Sequence, residues 1–206
     1  MPIMPKIAVT NVLPKQECAP FESPFHFDIN IEAECPLIYN LTFMVTYVGC
    51  AENPEHDQIL EQIDIEIDKK GPLCFSIETA CPNHTKIPGI ENLLGLSVLI
   101  LTAHYMDQEF FRCSYFVSNQ YQGSEADLEH QIDMGLVKRS LLVESPKIMN
   151  REIDWNDHQR KYVNEQLQFF HPEELQQVEN NVQQVTNKYQ SMMSMAPNGF
   201  FGRFAN

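Results

Sequence analysis

The sequence predicts an all-β fold in which two antiparallel sheets pack face to face. Apolar and polar residues alternate along several short segments, which is the two-residue period of a half-buried strand. Pro, Gly and Asn residues separate these segments, and there is almost no helical period before residue 123. Many short strands bounded by turn signals are typical of an immunoglobulin-like β-sandwich, which is the arrangement we predict. The central tryptophan of antibody domains is absent, because the only tryptophan is Trp155.

Six segments carry the strand pattern most clearly. The predicted strands are residues 25–33, 41–49, 62–68, 73–79, 96–105 and 109–117. Side chains at alternate positions should point into the core. The inward-facing residues are Phe25, Phe27, Ile29 and Ile31 in the first strand, Leu41, Phe43, Val45 and Tyr47 in the second, and Ile63, Ile65 and Ile67 in the third. The fifth strand is apolar on both faces.

The fifth and sixth strands predict a hairpin closed by a three-residue turn at residues 106–108. This turn places Val98 opposite Phe116, Ile100 opposite Ser114, and Thr102 opposite Arg112. Odd-numbered side chains then face the core, and Phe110 lies with the even-numbered ones on the outer face. The outer face therefore carries an apolar patch around one arginine, made of Leu96, Val98, Ile100, Arg112 and Phe116. Such a patch predicts a binding site unless helical segments within residues 156–195 cover it.

The remaining segments complete a predicted domain at residues 1–155 and a C-terminal extension at residues 156–206. Ser124 and Asp127 predict the start of a short helix over residues 125–131, and residues 141–145 and 148–155 supply closing strands. The extension is Asn- and Gln-rich, with a helix predicted from Asp157 to Phe170 and a second one that has Pro172 in its first turn. Its narrow heptad seam consists of Leu175, Val178, Val182, Val185, Tyr189 and Met192. A marginal helix or disordered segment is favoured over a coiled coil.

Charge and cysteine usage narrow the class of partner and the compartment. The chain has 28 acidic and 14 basic side chains, a formal net charge of −14, and residues 1–68 hold 12 of the acids and two lysines. Direct binding to nucleic acid or membranes is not expected of such a surface, whereas a basic partner is, unless the acidity serves solubility alone. No apolar segment predicts a membrane span or signal peptide, so we expect a cytosolic or nuclear protein. The six cysteines are predicted to be reduced thiols.

The sequence offers no catalytic motif and no cofactor site. Phosphate-binding glycine loops, nucleophile elbows and the His-Glu-x-x-His zinc motif are all absent from it. Cys74, Cys81 and His84 have a metal-like spacing, but a single Cys-x-x-His pair is a weak zinc signal. Asp64, Glu66 and Asp68 alternate with isoleucines, which is typical of the solvated face of a half-buried strand. We therefore predict a binding protein with no enzymatic activity and no metal.

Several motifs in order along the chain resemble the anti-silencing-function family of histone H3–H4 chaperones, across about residues 6–155. The matching motifs are Pro20-Phe21-x-x-Pro24-Phe25-x-Phe27 with Asp28 and Glu32, Tyr47-Val48-Gly49-x-Ala51-Glu52, His56-Asp57-Gln58-x-Leu60, Ile87-Pro88, Gln108-Glu109-Phe110-x-Arg112, Tyr115-Phe116-Val117-x-Asn119-x-Tyr121, Leu141-Leu142, Pro146 and Ile153-x-Trp155. The resemblance implies an immunoglobulin-like fold that binds one H3–H4 dimer.

The resemblance also implies particular site residues. A helix of H3 is expected against a sheet face at Val48, Asp57, Leu96, Val98, Arg112 and Phe116, and Ile100 joins them from the patch. A further acidic position of the family falls at Glu91 or Asn92. The H4 tail is expected to add as a strand near Pro146, Lys147 and Met149. The family's acidic pair that docks downstream chaperones falls at Tyr39 and Asn40, so this chain departs from the pattern there.

Together these observations predict a monomeric nuclear histone chaperone, with a cytoplasmic pool, acting in nucleosome assembly and disassembly. The expected partners are an H3–H4 dimer and downstream deposition chaperones. An acidic immunoglobulin-like adaptor for another basic or apolar partner is the alternative, and a metal-dependent enzyme ranks last.

Overall fold

The computed structural model describes residues 6–124 and 132–155, which form nine strands and few helical turns. The strands are β1 (Ile7–Pro14), β2 (Cys18–Pro20), β3 (His26–Ala33), β4 (Leu41–Val48), β5 (Gln58–Ile65), β6 (Gly71–Glu78), β7 (Gly95–Tyr105), β8 (Gln108–Tyr121) and β9 (Val137–Asn150). One short helix, α1 (Ile90–Leu93), precedes β7, and 3-10 turns lie at Pro54–His56, His84–Lys86 and Met134–Leu136. The predicted all-β fold is confirmed.

The strands form two antiparallel sheets that make a sandwich. The smaller sheet has the order β1-β3-β6, and the larger has the order β2-β9-β8-β7-β4-β5. The predicted hairpin of β7 and β8 lies at the centre of the larger sheet. One face of these two strands therefore packs on the core, and the other faces outward.

The core follows the predicted alternation. Buried residues include all the inward-facing positions predicted in and beside β3 and β4: Phe25, Phe27, Ile29, Ile31, Leu41, Phe43, Val45 and Tyr47. Ile67 is also buried, whereas Ile63 and Ile65 are partly buried against the core, because β5 is an edge strand. Burying each large apolar side chain contributes roughly 1.5–3 kcal/mol, so this layer is the main source of stability.

The ends of the domain differ from the prediction. The sequence pattern does not predict β1, because a bulge between Val9 and Asn11 breaks its alternation and lets Val9 and Val12 both pack against the core. The three-residue strand β2 is too short to show a period. The two predicted closing strands are one strand, β9, whose pairing with β8 shifts between Ser114 and Phe116. Residues 151–155 are not in a strand.

The β7–β8 hairpin keeps the predicted register through a different turn. The turn has two residues, Met106 and Asp107, both with positive φ, so the predicted three-residue turn is wrong. One extra residue in β8, Phe110, forms a bulge just after the turn and offsets the missing turn residue. The pairs Val98–Phe116, Ile100–Ser114 and Thr102–Arg112 are confirmed.

The bulge also turns Phe110 into the core, which corrects its predicted place on the outer face. Phe110 is buried, and its ring centroid lies 5.2 Å from that of Trp155. Trp155 stacks on Tyr105 with centroids 5.4 Å apart and is itself buried. These three rings close the core at the end of the described chain.

Arg139 of β9 is a buried cation that stabilises the loop between β2 and β3 through hydrogen bonds to its backbone. Its guanidinium donates to the backbone carbonyls of Phe21 (2.9 Å), Ser23 and Pro24 (2.7 Å). It also lies 3.6 Å from the centroid of the Phe25 ring. Burial lowers the pKa of Arg139 to about 10. The carbonyls and the ring replace the water that this cation loses on folding.

Some sequence predictions lie outside the described residues. They are the short helix over residues 125–131, the two C-terminal helices, and the idea that these helices cover the patch. The boundary at residue 155 stays a prediction. None of the helices within residues 6–124 and 132–155 has the length and apolar composition that a membrane span requires. Each of the six cysteines is a free thiol.

Candidate binding surface

The outer face of the larger sheet carries side chains from four neighbouring strands in register. Directly opposed residues of antiparallel strands point to the same face. One row across the sheet consists of Val48, Val98, Phe116 and Leu142. The next row consists of Thr46, Ile100, Ser114 and Lys147. The first row and Ile100 of the second place an apolar surface over the middle of the sheet, and we call these residues the apolar rows.

The apolar surface is accessible to solvent. Leu96 is 65% exposed, Leu142 is also exposed, and Val98, Ile100 and Phe116 are each half-buried. The structure therefore brings together all the apolar members of the predicted patch, and places Val48 beside them. Contiguous apolar side chains of this kind, rimmed by polar ones, are typical of an interaction site.

Arg112 lies one row further along, between Thr102 and Met149. Its guanidinium donates two hydrogen bonds to Glu109, from Nε to Oε1 at 2.9 Å and from Nη2 to Oε2 at 2.6 Å. These hydrogen bonds lower the pKa of Glu109 and raise that of Arg112. Both groups are therefore charged at neutral pH, and they form a polar boundary to the apolar rows.

Asp57 lies at the opposite end of the surface. It is the residue before β5, which pairs with β4, so it lies beside Val48. Its backbone N–H donates to the carbonyl of Pro54 at 3.0 Å, which closes the 3-10 turn. Burial raises the pKa of Asp57, and a hydrogen bond from the Gly49 backbone partly offsets this. Gly49 is required here, because a Cβ would lie 2.2 Å from the carbonyl oxygen of His56.

Buried polar side chains anchor the segment that leads into β7. The Asn119 amide donates to the carbonyl of Leu93 at 3.0 Å and to the Tyr47 hydroxyl at 2.8 Å. The Ser97 hydroxyl donates to the carbonyl of Val48 at 2.6 Å. Burial raises the pKa of Tyr47, so its hydroxyl keeps its proton and can donate in turn. This network holds the start of β7 against β4 and sets the position of Leu96.

The two candidates for a further acidic contact behave differently. The Asn92 side chain donates to the carbonyl of Pro88 at 2.7 Å, so its amide supports the α1 turn. Glu91 is exposed in the first turn of α1, close in sequence to Leu96. Glu91 is therefore the one of the two that offers a carboxylate to a partner.

The edge of β9 forms a second candidate surface. β2 pairs only with residues 138–140, so within the described chain the outer edge of β9 has no strand partner from Leu142 onward. Pro146, Lys147 and Met149 all lie in this stretch, and Met149 is exposed. The Lys147 ammonium also lies 5.8 Å from the Phe116 ring centroid, which joins the edge to the apolar rows. Unpaired backbone groups on such an edge can accept an added strand.

Tyr39 and Asn40 lie away from both surfaces. They end the connection from β3 to β4, at the opposite end of β4 from Val48. The Tyr39 ring is half-buried, with its centroid 6.5 Å from that of Tyr105, whereas Asn40 is exposed. This region therefore presents an amide and the edge of a ring, with no charge from either residue.

The residues whose spacing weakly suggests a metal site in the sequence do not form one in the described structure. Across residues 6–124 and 132–155, no group of three or more His, Cys, Asp or Glu side chains could hold a metal ion. Nδ1 of His84 lies 2.9 Å from a carboxylate oxygen of Glu22. Asp64 accepts a hydrogen bond from the Thr42 hydroxyl at 2.7 Å. These residues are accounted for by ordinary surface hydrogen bonding.

Comparisons with known proteins bear on what these surfaces do. The family model described as ASF1 like histone chaperone matches residues 4–156. The chain belongs to the ASF1-like histone chaperone family. The histone chaperone ASF1 of Mycosarcoma maydis is 37% identical over 141 residues, covering 68% of this chain and 80% of that protein. Human histone chaperone ASF1B is 32% identical over 157 residues, covering 75% of this chain and 77% of that protein. The probable histone chaperone ASF1A of Arabidopsis thaliana is 34% identical over 175 residues, with coverages of 84% and 81%.

Membership in the ASF1-like family confirms the predicted immunoglobulin-like arrangement and makes this chain a histone chaperone, with a nuclear, chromatin-associated role expected for the family.

Two exposed apolar residues on the outer face of the larger sheet are not part of the patch predicted from the sequence. Ile59, 63% exposed, is turned outward opposite Thr46 by a bulge in β5. Leu142 opposes Phe116. The Leu141-Leu142 pair is a usable signal for the second, because one of two adjacent strand residues must face outward.

Proposed function

We propose that this chain binds a histone H3–H4 dimer through the outer face of its larger sheet. The observation that supports this best is the solvent-accessible apolar row Val48, Val98, Phe116 and Leu142, flanked by Leu96. The row lies on a protein of net charge −14, which attracts a basic partner over long range. An H3 helix that packs against this face would bury the helix's apolar side chains against the row of Val48, Val98, Phe116 and Leu142.

The ends of the surface fit a helix of moderate length. The rows of Val98 and Thr102 are four residues apart along β7, or roughly 13 Å at the rise of a strand. Asp57 and Arg112 lie at these two ends, and Ile100 lies between them. An α-helix spans that distance in about nine residues. Asp57 can accept hydrogen bonds from basic side chains of H3, and Arg112 can donate to an acceptor.

We propose that the H4 tail adds as a strand to the free edge of β9, at Pro146, Lys147 and Met149. The support is the lack of a strand partner along this edge in the described chain, together with its contact to Phe116 through Lys147. Main-chain hydrogen bonds would supply affinity there, and the side chains would fix the register. Both histones would then be held on adjoining surfaces.

The proposed mechanism is sequestration without chemistry. Covering the tetramer-forming surface of H3 keeps the bound dimer a dimer until it is handed on during nucleosome assembly or disassembly. We propose a monomeric nuclear protein with a cytoplasmic pool and no enzymatic activity. Downstream chaperones that dock at Tyr39 and Asn40 would meet no carboxylate from either residue, so that contact would have to use apolar and amide groups.

Hydrogen exchange on the free and histone-bound protein tests both surfaces. Backbone amides of residues 142–150 should gain protection when H3–H4 is added, because a new strand would pair with them. H3–H4 lacking this H4 tail should still protect the segments around Val98 and Phe116, but not residues 142–150. Equal protection of the smaller sheet, or none at all, would contradict the proposal and favour an adaptor for another partner.

A further inference from the structure

The bulge in β8 places two charged side chains next to each other on the outer face. In a regular strand, residues three apart point to opposite faces. Phe110 is the extra residue, so Glu109 opposes His104 while Arg112 opposes Thr102. Both charged side chains therefore point to the same face as the apolar rows. The pair exists because of an irregularity that also brings Phe110 into the core.

The Glu109 carboxylate accepts two hydrogen bonds from one edge of the Arg112 guanidinium. The two hydrogen bonds, 2.9 Å to Nε and 2.6 Å to Nη2, are the bidentate arrangement that gives strong and directional charge pairs. The Glu109 side chain is only 12% exposed, whereas that of Arg112 is 36% exposed. Nε of Arg151 lies 3.6 Å from the same carboxylate. Glu109 is thus the fixed inner member of the pair.

Arg112 still has N–H donors available for a binding partner while it is hydrogen-bonded to Glu109. A guanidinium has five N–H donors, and the bidentate pair uses two of them. The donors left over are on Nη1 and on the second hydrogen of Nη2. An acceptor can therefore reach Arg112 without displacing Glu109. A free arginine would have to lose its rotamer freedom on binding, and this one has already lost it.

We propose that Glu109 is a positioning residue for histone binding, which holds the Arg112 guanidinium in the orientation that its remaining donors need to reach an acceptor on the bound histone. The proposal rests on the proposed function of the outer face. It assigns Glu109 an effect that acts through Arg112 alone. If Glu109 instead competed with the histone for Arg112, removing it would strengthen binding.

A double-mutant cycle measured by titration with H3–H4 separates these cases. Glu109→Ala should weaken binding about tenfold, and Glu109→Gln should weaken it less, because the amide oxygen still accepts one bond. In an Arg112→Ala background, Glu109→Ala should change the Kd less than about twofold. Glu66→Ala, at an exposed position of the same charge, controls for the general loss of attraction to a basic partner.

The free protein gives a second readout that needs no histone. The Nε–H proton of Arg112 should exchange slowly with water in the wild type, and fast in Glu109→Ala. Wild-type affinity or tighter binding in Glu109→Ala would overturn the proposal, as would an equal loss in the Arg112→Ala background. If the wild-type protein did not bind H3–H4, the proposed function would fail instead. Rapid exchange of Arg112 Nε–H in the wild type would then overturn the positioning role independently.

Discussion

Replacing Val98 with arginine should abolish histone binding and leave the fold intact. Val98 is half-buried on the outer face between Val48 and Phe116. In the free protein the longer side chain can reach water, so we expect the free energy of unfolding to change by less than about 1 kcal/mol. In the complex its charge would be buried without a partner, at a cost of about 3–5 kcal/mol. That cost raises the Kd by roughly two to four orders of magnitude.

The assay is a titration with purified H3–H4, together with urea denaturation of the free variant. Asn30→Arg is the matched control, because Asn30 points outward on β3 in the smaller sheet and the substitution adds the same charge. The control should bind like the wild type. A Val98→Arg protein that is folded and binds with wild-type affinity would refute the assignment of the patch.

Asp57→Ala and Arg112→Ala should each weaken histone binding by about 1–3 kcal/mol, because each removes a hydrogen-bonding charge at one end of the surface. Unchanged calorimetric titrations for both would mean that the apolar rows act alone. Arg139→Met should lower the free energy of unfolding by about 2–4 kcal/mol, since three backbone carbonyls lose their donor while one buried cation is removed. Urea denaturation measures this, and a change below about 1 kcal/mol would contradict it. Glu109 has a lowered pKa in the folded state, so its contribution to stability is complete above about pH 4.5 and is lost as pH falls through the folded pKa. Glu109→Gln should therefore show a flatter stability profile than the wild type in that acid range. Ending the chain after Asn156 should leave the melting temperature and the histone affinity nearly unchanged, because Trp155 already closes the core. A fall of more than a few degrees, or a tenfold loss of affinity, would contradict this.

The parts of the fold that local alternation encodes are predictable from the sequence. β3 and β4 alternate without interruption, so their buried residues follow directly from the pattern. The apolar patch is also predictable, because Leu96, Val98 and Phe116 belong to two strands joined by a short turn. In contrast, the neighbours of this patch on β4 and β9 depend on pairing between segments far apart in the chain, which no local pattern contains.

Bulges and a buried cation account for most of what the sequence does not reveal. A bulge adds one residue, so the alternation on one side of it is inverted relative to the other side. In β8 the extra residue, Phe110, turns into the core, and in β5 the bulge turns Ile59 outward against the alternation of Ile63 and Ile65. The same bulge in β8 makes the Glu109–Arg112 pair, which a regular strand would separate. Arg139 binds the carbonyl of Phe21, 118 positions earlier, and its burial depends on a loop whose path has no periodic signal.

The mass of the complex formed with histones tests the central claim most directly. The purified chain would be mixed with H3–H4 in excess, separated by size-exclusion chromatography and measured by multi-angle light scattering. The proposed cover over the tetramer-forming surface of H3 predicts that every species containing the chain has one chain and one H3–H4 dimer, beside the unbound excess of histone. A species containing an intact H3–H4 tetramer, with one or two chains bound, would contradict it, as would the absence of any complex.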